Sequence, residues 1–445
     1  MHNSNNMALN VVIDHYNNTK DRSKLVFDLT ESYCIKNITR HVLPLNITVG
    51  EVNNIGKLLQ ELCQEENLDW TAIQLLLKCL RNGSILNKHI QNCVVDNESI
   101  VKNMQQLLQA QQKLQTDCLK ALVIFMLNVT VDNGYSGKKI WLVFKNDLMD
   151  LLAKDLCVSF TLAVIYNVLA RNKQIEPSLE LINEVLRLME IGFDSEYILF
   201  LLEQFITYMH KYHRALRPEY RQTVLLVLKY LIPKEDLEVP KEYVLLLVDD
   251  FKKKSDCILK TVTEYLDQIE PAEVAHLLDV LVSLSCIEKY LSYIHNDRSF
   301  LINCAFLLKS MHLAGKNGQN KFTAISKLSD EAKADNNHPA FGFKASVIRI
   351  LGNLAWKSRS NQDELRELEC IPLLLDCCNI DERNPFIMQM VIFAIRNLCE
   401  KNELNQALIN AMNKKGTVDS ATLNKLGITL DDGSNPIRIA PFNSA

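Results

Sequence analysis

Arg349-Ile350-Leu351-Gly352-Asn353-Leu354-Ala355 and, 44 residues on, Ala394-Ile395-Arg396-Asn397-Leu398-Cys399 decide the fold. Each is an apolar helical segment closing on an asparagine. Phe343, Val347, Ile350, Leu351 and Leu354 fall on one stripe at a period of 3.6, as do Phe386, Met390, Ala394, Ile395 and Leu398. The phrase occurs three times earlier, as Cys79-Leu80-Arg81-Asn82, Phe125-Met126-Leu127-Asn128-Val129 and Ile165-Tyr166-Asn167-Val168-Leu169-Ala170. Asn82 to Asn128 is 46 residues and Asn128 to Asn167 is 39, within the range of two- and three-helix solenoid repeats. The 186 residues between Asn167 and Asn353 leave room for about four more units, with helical periodicity but no asparagine phrase.

One repeat can be read in full. Asn361-Gln362-Asp363-Glu364-Leu365 opens a short helix, Ile371-Pro372-Leu373-Leu374-Leu375 a second, and Asn384-Pro385-Phe386 a third that ends at Asn397-Leu398. The next unit opens alike, at Asn402-Glu403-Leu404-Asn405-Gln406. This looks like an armadillo repeat, and the reading is an all-α, armadillo-like helical-repeat superhelix, an α-solenoid in which each unit needs neighbours to cover its apolar faces. Composition agrees. The 13 glycines and 11 prolines are each about 3% of the 445 residues, roughly half their usual shares, whereas β-rich folds need many such turns. Pro177, Pro218, Pro240, Pro271 and Pro385 stand where first turns begin.

Forty-nine Lys+Arg against 53 Asp+Glu spread along the chain argue against a nucleic-acid partner. The best apolar runs, Leu122–Leu127 and Tyr243–Val248, fall short of the roughly 18 residues that span a bilayer, so no membrane insertion is expected. Met1 to Asn6 carries no basic segment leading into an apolar one, and a cytoplasmic location is the expectation. Thirteen cysteines with no CxxC pair, among them Cys79, Cys118, Cys157 and Cys304 in apolar surroundings, read as reduced core thiols.

The last hundred residues resemble a known family. Gly342-Phe343-Lys344, Arg349 to Leu354, Asn361-Gln362-Asp363, Ile371-Pro372-Leu373, Asn379-Ile380-Asp381, Asn384-Pro385-Phe386 and Ala394 to Leu398 closely resemble, in order, the C-terminal domain of the ataxin-10 family. The match covers about 340–430. The resemblance implies a non-catalytic armadillo-type scaffold for protein–protein interactions, acting in cytokinesis, neurite outgrowth and neuronal survival. It implies partners among protein kinases of cell division, a heterotrimeric G-protein β subunit and an O-GlcNAc glycosyltransferase. Its implied place is the cytoplasm, perinuclear or at the midbody and centrosome, and self-association stays open. The layout that follows is a flexible or capping N-terminus at 1–23, an N-terminal array at 24–313 and an irregular loop at 314–341 with a short helix near Phe322–Leu328. A C-terminal module at 342–430 and a tail at 431–445 complete it. Leu426–Ile439 reads as a hairpin or an extended tail, Asp431-Asp432-Gly433 supplying a turn.

The candidate site is the asparagine ladder: Asn82, Asn128, Asn167, Asn353 and Asn397. In armadillo proteins that bind extended peptides, such asparagines on the third helix present a donor and an acceptor to the peptide backbone. Equally, they can bond a neighbouring repeat and order the solenoid, the role expected for Asn353, placed against the following helix with Leu365 and Leu368. The alternative function is a cargo or transport adaptor of the import-receptor type, which sets a tryptophan one turn before each asparagine. Those positions hold Lys78, Ile124, Ala163, Arg349 and Phe393. No catalytic, metal or cofactor set is legible. His210 and His213 form an HxxH without a third ligand and read as a solvated face, Cys377-Cys378 as core, and Lys252-Lys253-Lys254 after Asp249-Asp250 as a self-compensating surface.

Overall fold

The computed structural model describes residues 9–32, 46–65, 68–110, 116–262, 269–325, 335–412, 428–429 and 438–439. The chain is an all-α helical-repeat protein that divides into two compact units, 1–208 and 209–445. The first holds α1 (Leu9–Thr19), α2 (Arg22–Ser32), α3 (Val49–Cys63), α4 (Trp70–Gly83), α5 (Lys88–Asp96), α6 (Glu98–Gln109), α7 (Thr116–Thr130), α8 (Gly134–Ala153), α9 (Val158–Arg171), α10 (Leu179–Glu190) and α11 (Glu196–Ile206). The second holds α12 (Met209–Tyr212), α13 (Pro218–Leu231), α14 (Lys241–Lys254), α15 (Ile269–Ser285), α16 (Glu288–Ile294), α17 (Arg298–Lys316), α18 (Phe343–Ala355), α19 (Arg359–Glu367), α20 (Cys370–Asp376), α21 (Ile387–Cys399) and α22 (Glu403–Ala411).

Short polar side chains start many of these helices by accepting from first-turn amides: Thr48 with Glu51 as a reciprocal capping box on α3, Asn87 on α5, Asn133 on α8, Ser358 on α19 and Asn402 on α22. Pro218 is the first residue of α13 and Pro240 the N-cap of α14. The array is built by stacking third helices. In the first unit α4 packs on α7, α7 on α9 and α9 on α11; in the second, α13 packs on α15, α15 on α18 and α18 on α21. The triangle α19–α20–α21 is the repeat read from the sequence. Between α7 and α9, the single 20-residue helix α8 replaces the first two helices of the triangle, hence the shorter 39-residue interval.

α18 and α21 pack closely. A Cβ on Gly352 would stand 2.8 Å from Phe393 Cε1 and 3.0 Å from the Ala394 Cα, so only glycine lets these backbones meet. The family phrase around Asn379–Phe386 ties this pair to the chain before it. Asp381 Oδ1 accepts from the Ile325 (3.1 Å) and Arg383 (3.1 Å) amides, and Arg383 Nη1 donates to the Asn320 and Thr323 carbonyls. Asn384 Oδ1 accepts from the Ala345 amide in the first turn of α18.

Several expectations need correcting. The buried face of α21 is Ile387, Val391, Ala394 and Leu398, whereas Phe386 is its N-cap, left-handed at φ 61° and 71% exposed. The Asn384-Pro385 turn ends one residue later than the stripe suggested. Of the two readings of the N-terminus, residues 9–19 suit a cap and not a frayed end, forming α1 and burying Val12, Ile13 and Tyr16. In the loop, 322–325 is not helical and 326–334 lies outside the described residues. Ile428–Thr429 pairs antiparallel with Arg438–Ile439, and its turn, Asp431-Asp432-Gly433 included, lies outside the described residues.

The HxxH is not a solvated face. His213 is fully buried in the second unit, its Nδ1 3.1 Å from the Tyr243 hydroxyl and its Nε2 without a partner, and His210 is half-buried. Around it stand Asp250, which pairs with Arg214, and the buried Glu273, which takes both Arg221 (2.8 Å) and Lys254 (2.8 Å). The lysine run is compensated, although only Lys253 pairs within its own helix, with Asp249; Lys252 goes to Asp297.

Burial lowers His213 to about 4 from 6.5, outweighing Asp250 and Glu273, which raise it, with Arg221 and Lys254 lowering it further. Between those pH values the unfolded chain binds the proton and the folded chain does not. Stability is therefore full above pH 6.5 and falls as pH drops toward 4. Chemical denaturation across this window should show a contribution approaching about 1.4 kcal/mol per pH unit that His213→Phe removes.

Candidate functional site

A helix leaves its last carbonyls without partners, and where two repeats stack those carbonyls are shut away from water. The ladder asparagines answer part of this. Asn397 Nδ2 donates to the Gly352 carbonyl (2.9 Å), one residue before Asn353, and Asn128 Nδ2 donates to the Arg81 carbonyl (3.2 Å), one residue before Asn82. Asn167 Nδ2 reaches Thr130 Oγ1 at 3.4 Å. Asn353 Nδ2 donates to Ser285 Oγ (2.7 Å) and lies 3.6 Å from Cys286 Sγ, so its contact runs back to α15 and not forward to the helix of Leu365 and Leu368. Ser285 stands where α15 would carry an asparagine. Asn82 takes Arg81 Nε at 2.9 Å. Asn82, Asn353 and Asn397 are buried, Asn128 and Asn167 half-buried.

A second set of side chains, not singled out from the sequence, completes the task. Gln362 Nε2 lies within bonding distance of the carbonyls of Ala355 (3.3 Å), Asn397 (2.9 Å) and Glu400 (3.2 Å), and its Oε1 accepts from Asn402 Nδ2 (3.1 Å). In the other unit Gln91 Nε2 meets the carbonyls of Ser84 (3.1 Å), Asn128 (2.9 Å) and Val131 (3.3 Å), and its Oε1 accepts from Asn133 Nδ2 (2.9 Å). The two clusters match position for position. The signal was present in the spacing: a glutamine nine residues after Asn82 and after Asn353, and a cap five residues after each of Asn82, Asn128, Asn353 and Asn397.

In the second unit the ladder opens onto a groove of about 680 Å³. Asn353 and Asn397 both line it, together with Arg349, Phe393 and Arg396 on α18 and α21, Trp356 at the C-cap of α18, and Cys286 and Leu291. That volume is typical of ligand clefts. Both asparagine amide nitrogens are engaged within the array. Neither Oδ1 has a hydrogen-bond partner among the described residues, and neither is sealed from solvent. The groove therefore presents two fixed acceptors, one per repeat, on buried and immobilised side chains. In the other unit Tyr166, next to Asn167 in the chain, clusters with Tyr197 and Phe200 at ring-centroid distances of 5.5–6.0 Å.

The cysteines follow their burial. Cys79, Cys118 and Cys304 are buried and Cys157 half-buried, and desolvation pushes Cys118 up to about 12, which disfavours a thiolate. Cys377 Sγ lies 3.4 Å from His312 Nδ1, whose Nε2 is 2.8 Å from Asp376 Oδ2, an arrangement of nucleophile, base and orienter. Cys377 is only 4% exposed and its thiol is raised by burial, His312 is lowered by burial, and Lys316 takes the same Asp376 carboxylate. These side chains serve as core and inter-helix contacts. Among the described residues, no group of three or more His, Cys, Asp and Glu side chains is placed to hold a metal ion.

Fold and groove together define a helical-repeat protein whose distinctive surface is a side-chain amide ladder. The model of the spinocerebellar ataxia type 10 protein domain matches residues 343–437. Ataxin-10 of Xenopus tropicalis is 31% identical over 379 residues, covering 80% of this chain and 78% of that protein. Ataxin-10 of Homo sapiens is 28% identical over 393 residues, covering 83% and 82%. An ataxin-10 homolog of Dictyostelium discoideum is 51% identical over 87 residues, covering 20% and 14%. The chain belongs to the ataxin-10 family.

The geometry separates the two ladder asparagines by thermal and chemical denaturation. Asn397→Ala leaves the buried Gly352 carbonyl unmet and should cost about 1–3 kcal/mol. Asn353→Ala removes one donor from the Ser285 hydroxyl, which keeps its own bond to the Val282 carbonyl (2.7 Å), and should cost about 1 kcal/mol or less.

Proposed function

We propose that this chain is a non-catalytic scaffold that holds segments of other proteins along its ladder faces, with the groove of the second unit as its principal contact. The observation that carries the reading is the pair of unpartnered amide oxygens, Asn353 Oδ1 and Asn397 Oδ1, in a cleft floored by Trp356 and Phe393. Fixed acceptors beside aromatic side chains suit recognition of a partner's backbone and apolar side chains. Family membership supports the wider setting proposed with it: a cytoplasmic scaffold, perinuclear or at the midbody and centrosome, in cytokinesis, neurite outgrowth and neuronal survival. Protein kinases of cell division, a G-protein β subunit and an O-GlcNAc glycosyltransferase are its proposed partners. An import receptor's lysine clamp needs a tryptophan one turn before each asparagine, and Arg349 and Phe393 fill those positions here.

Affinity capture from cytosolic extract tests the scaffold reading. Trp356→Ser with Phe393→Ser should reduce the captured partners at least about tenfold, the scale of losing one strong anchor. Leu142→Ser, on an exposed position of α8, should leave them unchanged. Equal capture by both variants, with melting temperatures matched to the parent chain, would contradict a groove-centred scaffold.

A further inference from the structure

We propose that the occupant of the groove is an extended segment of a partner protein bearing aspartate or glutamate side chains, an inference that rests on the groove being a partner site. The extended conformation follows from the acceptors. Asn353 Oδ1 and Asn397 Oδ1 can take only donated hydrogens, and the commonest donors on a peptide are its backbone amides. A helix keeps those amides for itself beyond its first turn, whereas an extended strand presents them along its length with side chains alternating to either side.

The acidic character follows from the arginines. Arg349 and Arg396 are exposed in the groove, and neither has a carboxylate partner among the described residues. Most other arginines are matched to carboxylates, among them Arg187 with Asp155 and Glu184, Arg214 with Asp249 and Asp250, Arg221 with Glu273 and Arg298 with Glu364, while Arg383 is held by two carbonyls. Arg349 Nη2 rests instead 3.2 Å from Cys286 Sγ, a weak acceptor that a carboxylate would displace. Two acids also line the groove, and both sit at helix ends. Glu288 is in the first turn of α16, where the helix N-terminus offsets its charge, and Glu400 is the C-cap of α21. Arg349 lies in the body of α18 and Arg396 in the last turn of α21, on the same helices as the two acceptors. An acidic residue next to each bonded backbone amide would therefore meet a guanidinium, while the alternate side chains would settle on Trp356 and Phe393.

The experiment uses the full chain and three fluorescein-labelled heptapeptides in which leucine alternates with aspartate, with asparagine or with lysine. Binding is read by fluorescence anisotropy, and occupancy of the groove by the rate at which N-ethylmaleimide alkylates Cys286, an exposed thiol inside it. The aspartate peptide should bind about tenfold tighter than the asparagine peptide, lose that margin in Arg349→Ala and Arg396→Ala and at high salt, and slow alkylation of Cys286. If the asparagine or lysine peptide binds as tightly and protects Cys286 equally, the acidic assignment falls while the partner groove stands. If no peptide protects Cys286 while circular dichroism and melting show a folded chain, the groove is not a peptide site and both readings fall.

Discussion

Stacking one helix-ended repeat on another buries carbonyls that no intrahelical amide can reach, and the rest of this molecule depends on how they are met. Gln362 and Gln91 each lie among three of them, drawn from two successive repeats, with their own oxygens bonded to Asn402 and Asn133. A single planar carboxamide thus fixes where one repeat ends relative to the next. Apolar burial alone would allow the third helices to slide, because the hydrophobic effect carries little directional information. The polar contacts supply register, and Gly352 supplies proximity by letting α18 meet α21 where any side chain would collide.

The same demand shapes the surface. Because Asn353 and Asn397 turn their nitrogens into the array, their orientation is settled before any partner arrives, and it is the oxygens that stay available. On the proposed function, a structural bond and a recognition group share one side chain. On that reading, ordering the solenoid and reading a peptide do not exclude each other, since the two halves of the amide can do both at once. Preorganised acceptors reduce the ordering cost of association, which favours binding by a modest number of contacts.

Much of this was legible in the sequence where a local rule governs. The Asn-Pro-Phe phrase located the start of α21 because proline chemistry acts over three or four residues, whereas the Asn-Gln-Asp phrase lies inside α19, which opens two residues earlier at Arg359 with Ser358 as its cap. The apolar stripe of α18, Phe343 through Leu354, is buried as its period requires. Readings failed where distant chain decides. His213 sits in a polar-looking HxxH but is buried by Tyr243, 30 residues away, and nothing local signals that. Asn353 reaches Ser285, 68 residues back, because the intervening unit is long and α15 ends in serine instead of the asparagine phrase. The glutamines were within reach: their fixed offset from the ladder repeats, but one polar residue in a short amphipathic helix carries no mark of burial until its carbonyl partners are placed. The comparisons with ataxin-10 proteins then supply the family, which the groove by itself could not.

Hydrogen–deuterium exchange on Gln362→Leu tests the central claim, that one buried carboxamide couples adjacent repeats. The account predicts that protection falls together in the last turn of α18, the last turn of α21 and the first turn of α22, which among the described residues share no other common side chain as hydrogen-bond partner. Protection lost only in α19 around residue 362, with α18, α21 and α22 exchanging as in the parent chain, would contradict it.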